Sequence, residues 1–133
     1  MATKLGTSGK DTIVGTKKDD YLFGGEGKDK ILGLKGDDRI EGGMGNDTLT
    51  GFKGADTFVF DASSGADTIT DFNANQDVIE IPSGLSGITS GNDVLALATQ
   101  VGKNVVIDLG GGVTIKLKNF DLGDLKADNF DIV

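Results

Sequence analysis

An all-β stack of very short strands is the fold class this chain predicts, and three observations predict it. Aspartate recurs every nine residues, at Asp11, Asp20, Asp29, Asp38, Asp47 and Asp56. An apolar residue stands two places after each of them: Ile13, Leu22, Ile31, Ile40, Leu49 and Phe58. A glycine stands five places before every one, at Gly6, Gly15, Gly24, Gly33, Gly42 and Gly51. A second glycine stands two places before five of them, at Gly9, Gly27, Gly36, Gly45 and Gly54. A low-complexity Gly/Asp tract is the bland alternative, but it does not explain an apolar residue held at one phase throughout.

Each nonapeptide divides into a turn and a strand. The hexad must curl back on itself, and glycine reaches positive φ without steric cost. Backbone carbonyls then converge, and calcium, a hard cation that takes six to eight oxygens, suits carbonyls joined by carboxylates. The pattern G-G-x-G-x-D-x-U-x, with U apolar, has this physical reading, a stacked calcium-binding turn. Its best copies are GGEGKDKIL at 24–32 and GGMGNDTLT at 42–50. The remaining three residues, such as Lys30-Ile31-Leu32, make a short strand whose middle residue points inward. Two repeats form one coil, so six repeats predict about three coils. Six inward side chains bury too little apolar surface to offset the ordering of that much backbone. This half is therefore expected to be disordered without calcium and to draw its folding energy from the ions.

Composition bounds the function. Gly is 22 of 133 residues and Pro is one, which suits turns and not a proline-rich linker. Cysteine and histidine are both absent. That excludes disulfides, thiol chemistry, the Ser/His/Asp triad and the usual zinc sites, and no enzyme activity is expected. No apolar run is long enough to span a membrane, and Met1–Gly15 has no signal-peptide core, so export is expected to use another route. Net charge is −8, with a balance of −1 over residues 1–56 and −7 over 57–133. The acidic balance and the lack of a basic helix disfavour nucleic acid.

The second half predicts an antiparallel β cap. Thr57–Phe60 extends the last repeat as a strand, and Asp67–Phe72 and Asp77–Ile81 alternate as strands do. Val94–Val101, Asn104–Leu109 and Val113–Leu117 are further strand candidates, with Gly110-Gly111-Gly112 as a hairpin turn. The expected division is a roll over residues 6–59 and a cap over 60–133.

The repeats resemble the RTX calcium-binding repeats of bacterial proteins secreted by type I exporters. The resemblance implies a right-handed parallel β-roll, with odd turns stacked along one edge and even turns along the other. Each ion would then join turns eighteen residues apart. On the family pattern the first site takes Thr7, Gly9, Asp11, Gly24, Glu26 and Asp29, and the second Thr16, Lys18, Asp20, Gly33, Lys35 and Asp38. The third takes Gly25, Gly27, Asp29, Gly42, Met44 and Asp47, and the fourth Leu34, Gly36, Asp38, Gly51, Lys53 and Asp56. Most of these residues would donate carbonyls, so their side chains matter less. The stretch GADTFVFDASSGADTITDFNANQDVIEI is similar to the segment that succeeds the repeats in serralysin-type proteases and mannuronan C5-epimerase modules. It implies a fifth site of Phe52, Gly54, Asp56, Asp67 and Asp77, so about four to five Ca2+ in all. Behind such an array, Asp128–Val133 is similar to the uncleaved signal read by type I exporters, which implies an extracellular protein.

Two departures stand out. Gly6-Thr-Ser-Gly lacks its second glycine, and Lys18 replaces the fourth-position glycine of its repeat. If Lys18 must take positive φ, the second site weakens.

Other features leave alternatives open. Lys17, Lys35 and Lys53 lie eighteen residues apart and should stack on one edge. They are either a cationic strip for an anionic polysaccharide such as alginate or simply a charged, unsociable edge. Tyr21, Phe23 and Arg39 fall at outward strand positions, as a sugar-stacking patch or as cover for a neighbouring surface. The exposed first coil offers an edge through which a dimer could form.

Overall fold

The computed structural model describes residues 1–133. Nine short strands make a parallel roll: β1 (Thr3–Leu5), β2 (Thr12–Val14), β3 (Tyr21–Phe23), β4 (Lys30–Leu32), β5 (Arg39–Glu41), β6 (Thr48–Thr50), β7 (Thr57–Val59), β8 (Ala66–Ile69) and β9 (Val78–Ile81). Odd strands line one sheet and even strands the other, and every neighbouring pair in the roll is parallel. The pairing register keeps to the repeat: Ile13 lies beside Ile31, and Ile31 beside Leu49.

Each strand forms because the residue two places after the aspartate is apolar and the pleat turns it inward. Leu22, Ile31, Ile40, Leu49 and Phe58 are wholly buried, and Ile13 is nearly so. Lys4 occupies the equivalent place in β1, is exposed, and donates from Nζ to the Val14 carbonyl at 2.6 Å. A lysine thus closes the open end of the core where an apolar residue would be wetted. The roll is longer than the six repeats predict, at about four coils, because β1 and β8 complete the end coils and β9 begins another.

The remainder of the chain adds to both sheets of the roll. Helix α1 spans Gly91–Leu95, and strands β10 (Ala98–Val101), β11 (Asn104–Gly110), β12 (Val113–Leu117) and β13 (Phe130–Ile132) complete the fold. β10, β11 and β12 form an antiparallel meander, as the cap reading expects. β12 then pairs parallel to β8, and β13 parallel to β9, which the antiparallel reading does not anticipate. One apolar core runs from Ile13 through Phe58 and Ile115 to Phe130. Gly110, Gly111 and Gly112 all take positive φ, and Gly110 pairs with Val113, so the turn falls where the three glycines place it.

One strand expectation is corrected. Val94–Leu95 is helical, and the strand starts only at Ala98. Ser90 accepts from the Asp93 N–H, and Asp93 accepts from the Ser90 N–H, a reciprocal cap that starts a helix and turns Val94 into the core. No helix is long and apolar enough to cross a membrane.

Candidate metal centre

Two columns of buried carboxylates run along the edges of the roll. On one edge, the Asp11 N–H donates to Asp29 Oδ1, Asp29 to Asp47, and Asp47 to Asp67, each at 2.8 Å. On the other, Ala2 donates to Asp20, Asp20 to Asp38, Asp38 to Asp56, and Asp56 to Asp77, each at 2.9 Å. One oxygen of each carboxylate is thereby spent on tying its coil to the one before. The other oxygen, Oδ2, is buried and has no hydrogen-bond partner in Asp29, Asp38, Asp47 and Asp56. A buried ionised oxygen without a partner is costly, and a cation is what relieves it.

The turns around these oxygens bring carbonyls face to face. The second and fourth residues of hexads three to six all take positive φ: Gly25 and Gly27, Leu34 and Gly36, Gly43 and Gly45, Phe52 and Gly54. A Cβ placed on Gly25 would stand 2.7 Å from the Thr7 carbonyl oxygen, and one on Gly43 or Gly45 would meet the carbonyls of Gly25 or Gly27. From the other side, the Gly42 oxygen stands 2.5 Å from where a Cβ of Gly24 would be, and the Gly51 oxygen 2.9 Å from that of Gly33. Nowhere do three or more carboxylates converge. The donor set is rich in carbonyls with few charges and no nitrogen or sulfur, which selects a hard cation over a transition metal.

The residues expected to form the sites are distributed along both edges. The Thr7 and Gly9 carbonyls lie against Gly25 and Gly27 of the next turn and the Gly24 oxygen against Gly6, while the Gly25 and Gly27 carbonyls lie against Gly43 and Gly45 and the Gly42 oxygen against Gly24. On the other edge Thr16 O accepts from Lys35 N–H at 3.4 Å and Leu34 O from Lys53 N–H at 2.9 Å. Those turns are drawn together by backbone bonds. Gly33, Gly36, Gly51 and Gly54 lie at the corresponding positions there. Glu26, Lys35, Met44 and Lys53 sit at turn tips with exposed side chains. Lys18 does not take positive φ; the strained non-glycine residues of the turns are Leu34 (φ 74°) and Phe52 (φ 63°). Asp67 and Asp77 do not meet: the first extends the column of Asp47 and the second that of Asp56, on opposite edges.

Sequence reasoning missed some contributors. Asp71 accepts from Gly51 N–H at 3.0 Å and Phe52 N–H at 2.7 Å, closing the sixth turn. Asp19 Oδ1 accepts from Asp37 N–H, and Asp37 Oδ1 from Ala55 N–H, a second ladder outside the first. The sequence signal for that ladder was the acid before the repeat aspartate in hexads two and four. Arg39 pairs with Glu80, and Tyr21 donates to Glu41, so the outward patch is tied within the protein.

Burial pushes Asp38 and Asp47 up to about 6, Asp56 to about 7 and Asp67 to about 8. The N–H bond from the preceding coil opposes that rise, and nearby carboxylates add to it. Burial acts on Asp20 as well, but bonds from Thr16 and Ala2 outweigh it and hold that carboxyl below its ordinary value. A carboxyl raised on folding favours the folded chain while protonated. In metal-free protein that contribution is present below the unfolded value near pH 4 and is lost as pH rises through the folded values. Chelated protein is therefore expected to show more β signal by circular dichroism at about pH 5 than at about pH 8. Equal signal at both would remove these groups from the folding balance.

Stacked glycine turns with a column of buried carboxylates on each edge define a β-roll built around a hard, oxygen-seeking cation. The chain belongs to the RTX calcium-binding nonapeptide repeat family, whose pattern matches residues 5–40 and 32–69. It is similar to two subunits of the mannuronan C5-epimerase of Azotobacter vinelandii. One, AlgE6R3, is 30% identical with a TM-score of 0.76, over 96% of this chain and 81% of that one. The other, AlgE6R2, is 28% identical with a TM-score of 0.73, over 96% and 91%. It is also similar to the extracellular lipase LipA of Serratia marcescens, at 25% identity and a TM-score of 0.83, covering 98% of this chain but 21% of the lipase. No curated protein sequence matches. RTX repeats are a non-catalytic calcium-binding module, although these neighbours come from enzymes.

Proposed function

We propose that this chain is a calcium-dependent folding and secretion module of an exported bacterial protein. The observation that carries the reading is the set of four buried, unpartnered Oδ2 atoms, all in hexads whose second and fourth residues take positive φ. The third and fourth expected sites hold these four atoms: Asp29 and Asp47 with Gly25, Gly27, Gly42 and Met44, and Asp38 and Asp56 with Leu34, Gly36, Gly51 and Lys53. Bound calcium would supply positive charge and take the oxygens of groups that otherwise repel as its ligands. The chain's own part is to hold the oxygens. Aspartates repeated along a column share their oxygens between neighbouring coils, which makes the response to calcium cooperative. In a cell where calcium is scarce the turns stay open and threadable; outside, near millimolar calcium, they close.

The segment Asp128–Val133 is the element read by a type I exporter in this proposal. In the folded protein Phe130–Ile132 lies at the edge of its sheet, beside β9 alone. Co-expression with a type I exporter tests this. Export of the chain that stops when Asp128–Val133 is replaced by a Gly/Ser stretch supports it; export that continues defeats it.

Binding of an anionic polysaccharide is the weaker reading. Lys17, Lys35 and Lys53 are exposed on one edge, as expected. The Asp19–Asp37 ladder lies along that same edge and lowers its positive potential.

A further inference from the structure

The six hexads form two kinds of turn. In hexads three to six, positions two and four both take positive φ. In the first two, Gly6–Asp11 and Gly15–Asp20, neither position does. Threonine stands at position two in both, and its hydroxyl does the closing. Thr7 Oγ1 accepts from Gly9 N–H at 3.2 Å and donates to the Asp11 carboxylate at 3.0 Å. Thr16 Oγ1 accepts from Lys18 N–H at 3.1 Å and donates to the Asp20 carboxylate at 2.9 Å. The backbone N–H of each threonine also donates to Oδ2 of its aspartate, at 2.6 Å.

Two consequences separate these turns from the others. Oδ2 of Asp11 and Asp20 has donors, whereas Oδ2 of Asp29, Asp38, Asp47 and Asp56 has none. The fourth-position carbonyls are also aimed differently. Viewed from where a Cβ of Gly27 would lie, Gly9 C and O are equally near at 2.7 Å, so that carbonyl lies side-on to the next turn. Lys18 lies the same way beneath Gly36, with C at 2.5 Å and O at 2.6 Å. The carbonyls of Gly27, Gly36 and Gly45 instead lead with oxygen, their carbons standing back at 2.9, 2.7 and 3.0 Å from the same point on Gly45, Gly54 and Gly65.

We propose that Thr7 and Thr16 close the first two hexads as ion-independent turns, so that the calcium stack begins at Asp29 and Asp38. The inference rests on the calcium reading and refines it: the first and second expected sites are locked by hydroxyls. The two threonine turns, with Lys4 beneath them, form an end to the roll. A terminal coil has no earlier turn from which to draw oxygens, and a side-chain lock meets that need within one hexad. The hydroxyl is the deciding group, so Thr7 and Thr16 are positioning residues whose side chains matter.

Calcium stoichiometry by titration calorimetry, with circular dichroism on the same samples, tests this. Thr7→Gly restores the pattern G-G-S-G-K-D, removes the hydroxyl bond to the Asp11 carboxylate and allows the positive φ of hexads three to six, in which no N–H meets Oδ2; it is expected to bind one ion more than wild type. Thr7→Ser keeps the hydroxyl and is expected to keep the wild-type count. Equal counts for the glycine and serine variants would overturn the proposal while leaving the calcium reading intact. Should Thr7→Gly fail to fold at saturating calcium, the double variant Thr16→Gly, Lys18→Gly makes the same comparison on the other edge against Thr16→Ser, again with one extra ion expected and equal counts decisive against it. No uptake by wild type, or a count unchanged by Asp38→Asn with Asp56→Asn, would sink the calcium reading and this refinement with it.

Discussion

Gly54→Ala will prevent the roll from completing its fold even at saturating calcium. Gly54 has φ +116°, and a Cβ there would run into the Gly36 carbonyl of the turn below. An L-residue pays roughly 1–2 kcal/mol for a left-handed backbone even where space is free. Here space is not free, and the obstacle is backbone that cannot rotate aside. Moving it would turn the Gly36 oxygen away from the space between Asp38 and Asp56. Gly84→Ala supplies the comparison, because Gly84 also has positive φ (+87°) but nothing within 4 Å of an added Cβ. That variant should lose only the backbone part, about 1 kcal/mol, and should fold with calcium nearly as wild type. The two variants are to be compared by circular dichroism across a calcium titration. Similar behaviour would mean that close stacking of the turns does not govern folding.

Asp56→Asn is expected to raise the calcium concentration needed for folding by at least roughly tenfold, a typical loss when a metal site is disturbed. Asp56 is 1% exposed and bridges two coils. Its Oδ1 accepts from Asp38 N–H, and its own N–H donates to Asp77. Asparagine can keep the first bond through its amide oxygen. It then places an N–H donor where the unpartnered Oδ2 stood, removing a charge and opposing a cation there. Asp37→Asn is the control: it removes a charge from the same edge but from the outer ladder, and its amide oxygen can still accept from Ala55 N–H. A tenfold effect from both would point to general charge and not to the inner column.

The repeat was legible because its information is local. Nine-residue spacing placed each strand from Thr12–Val14 to Thr57–Val59 one step after an aspartate, and the inward residue of each was named by being apolar. The cap was less legible because its partners are distant. Nothing near Val113 says that it will run parallel to Ala66–Ile69, nor does Phe130 announce Ile79. Asp67 and Asp77 looked like one site because the period breaks after Asp56. The step along each edge lengthens from 18 to 20 between Asp47 and Asp67 and to 21 between Asp56 and Asp77. The turns were legible only in part. The sequence places strain on Lys18 only if that position must take positive φ, and it offers the threonines as carbonyl donors whose side chains matter less. The strain falls instead on Leu34 and Phe52, because the threonine hydroxyls offer hexads one and two a turn that needs no positive φ.

Ion binding is held to be what folds the stacked turns. Far-ultraviolet circular dichroism of the whole chain, monitored as calcium is added to chelated protein and then withdrawn, addresses this most directly. A cooperative rise in β signal that reverses with chelator, and that magnesium does not reproduce, is the expected outcome. Full β structure retained in chelator at neutral pH would show that the roll stands by packing and hydrogen bonds alone, and that its buried carboxylates serve some other end.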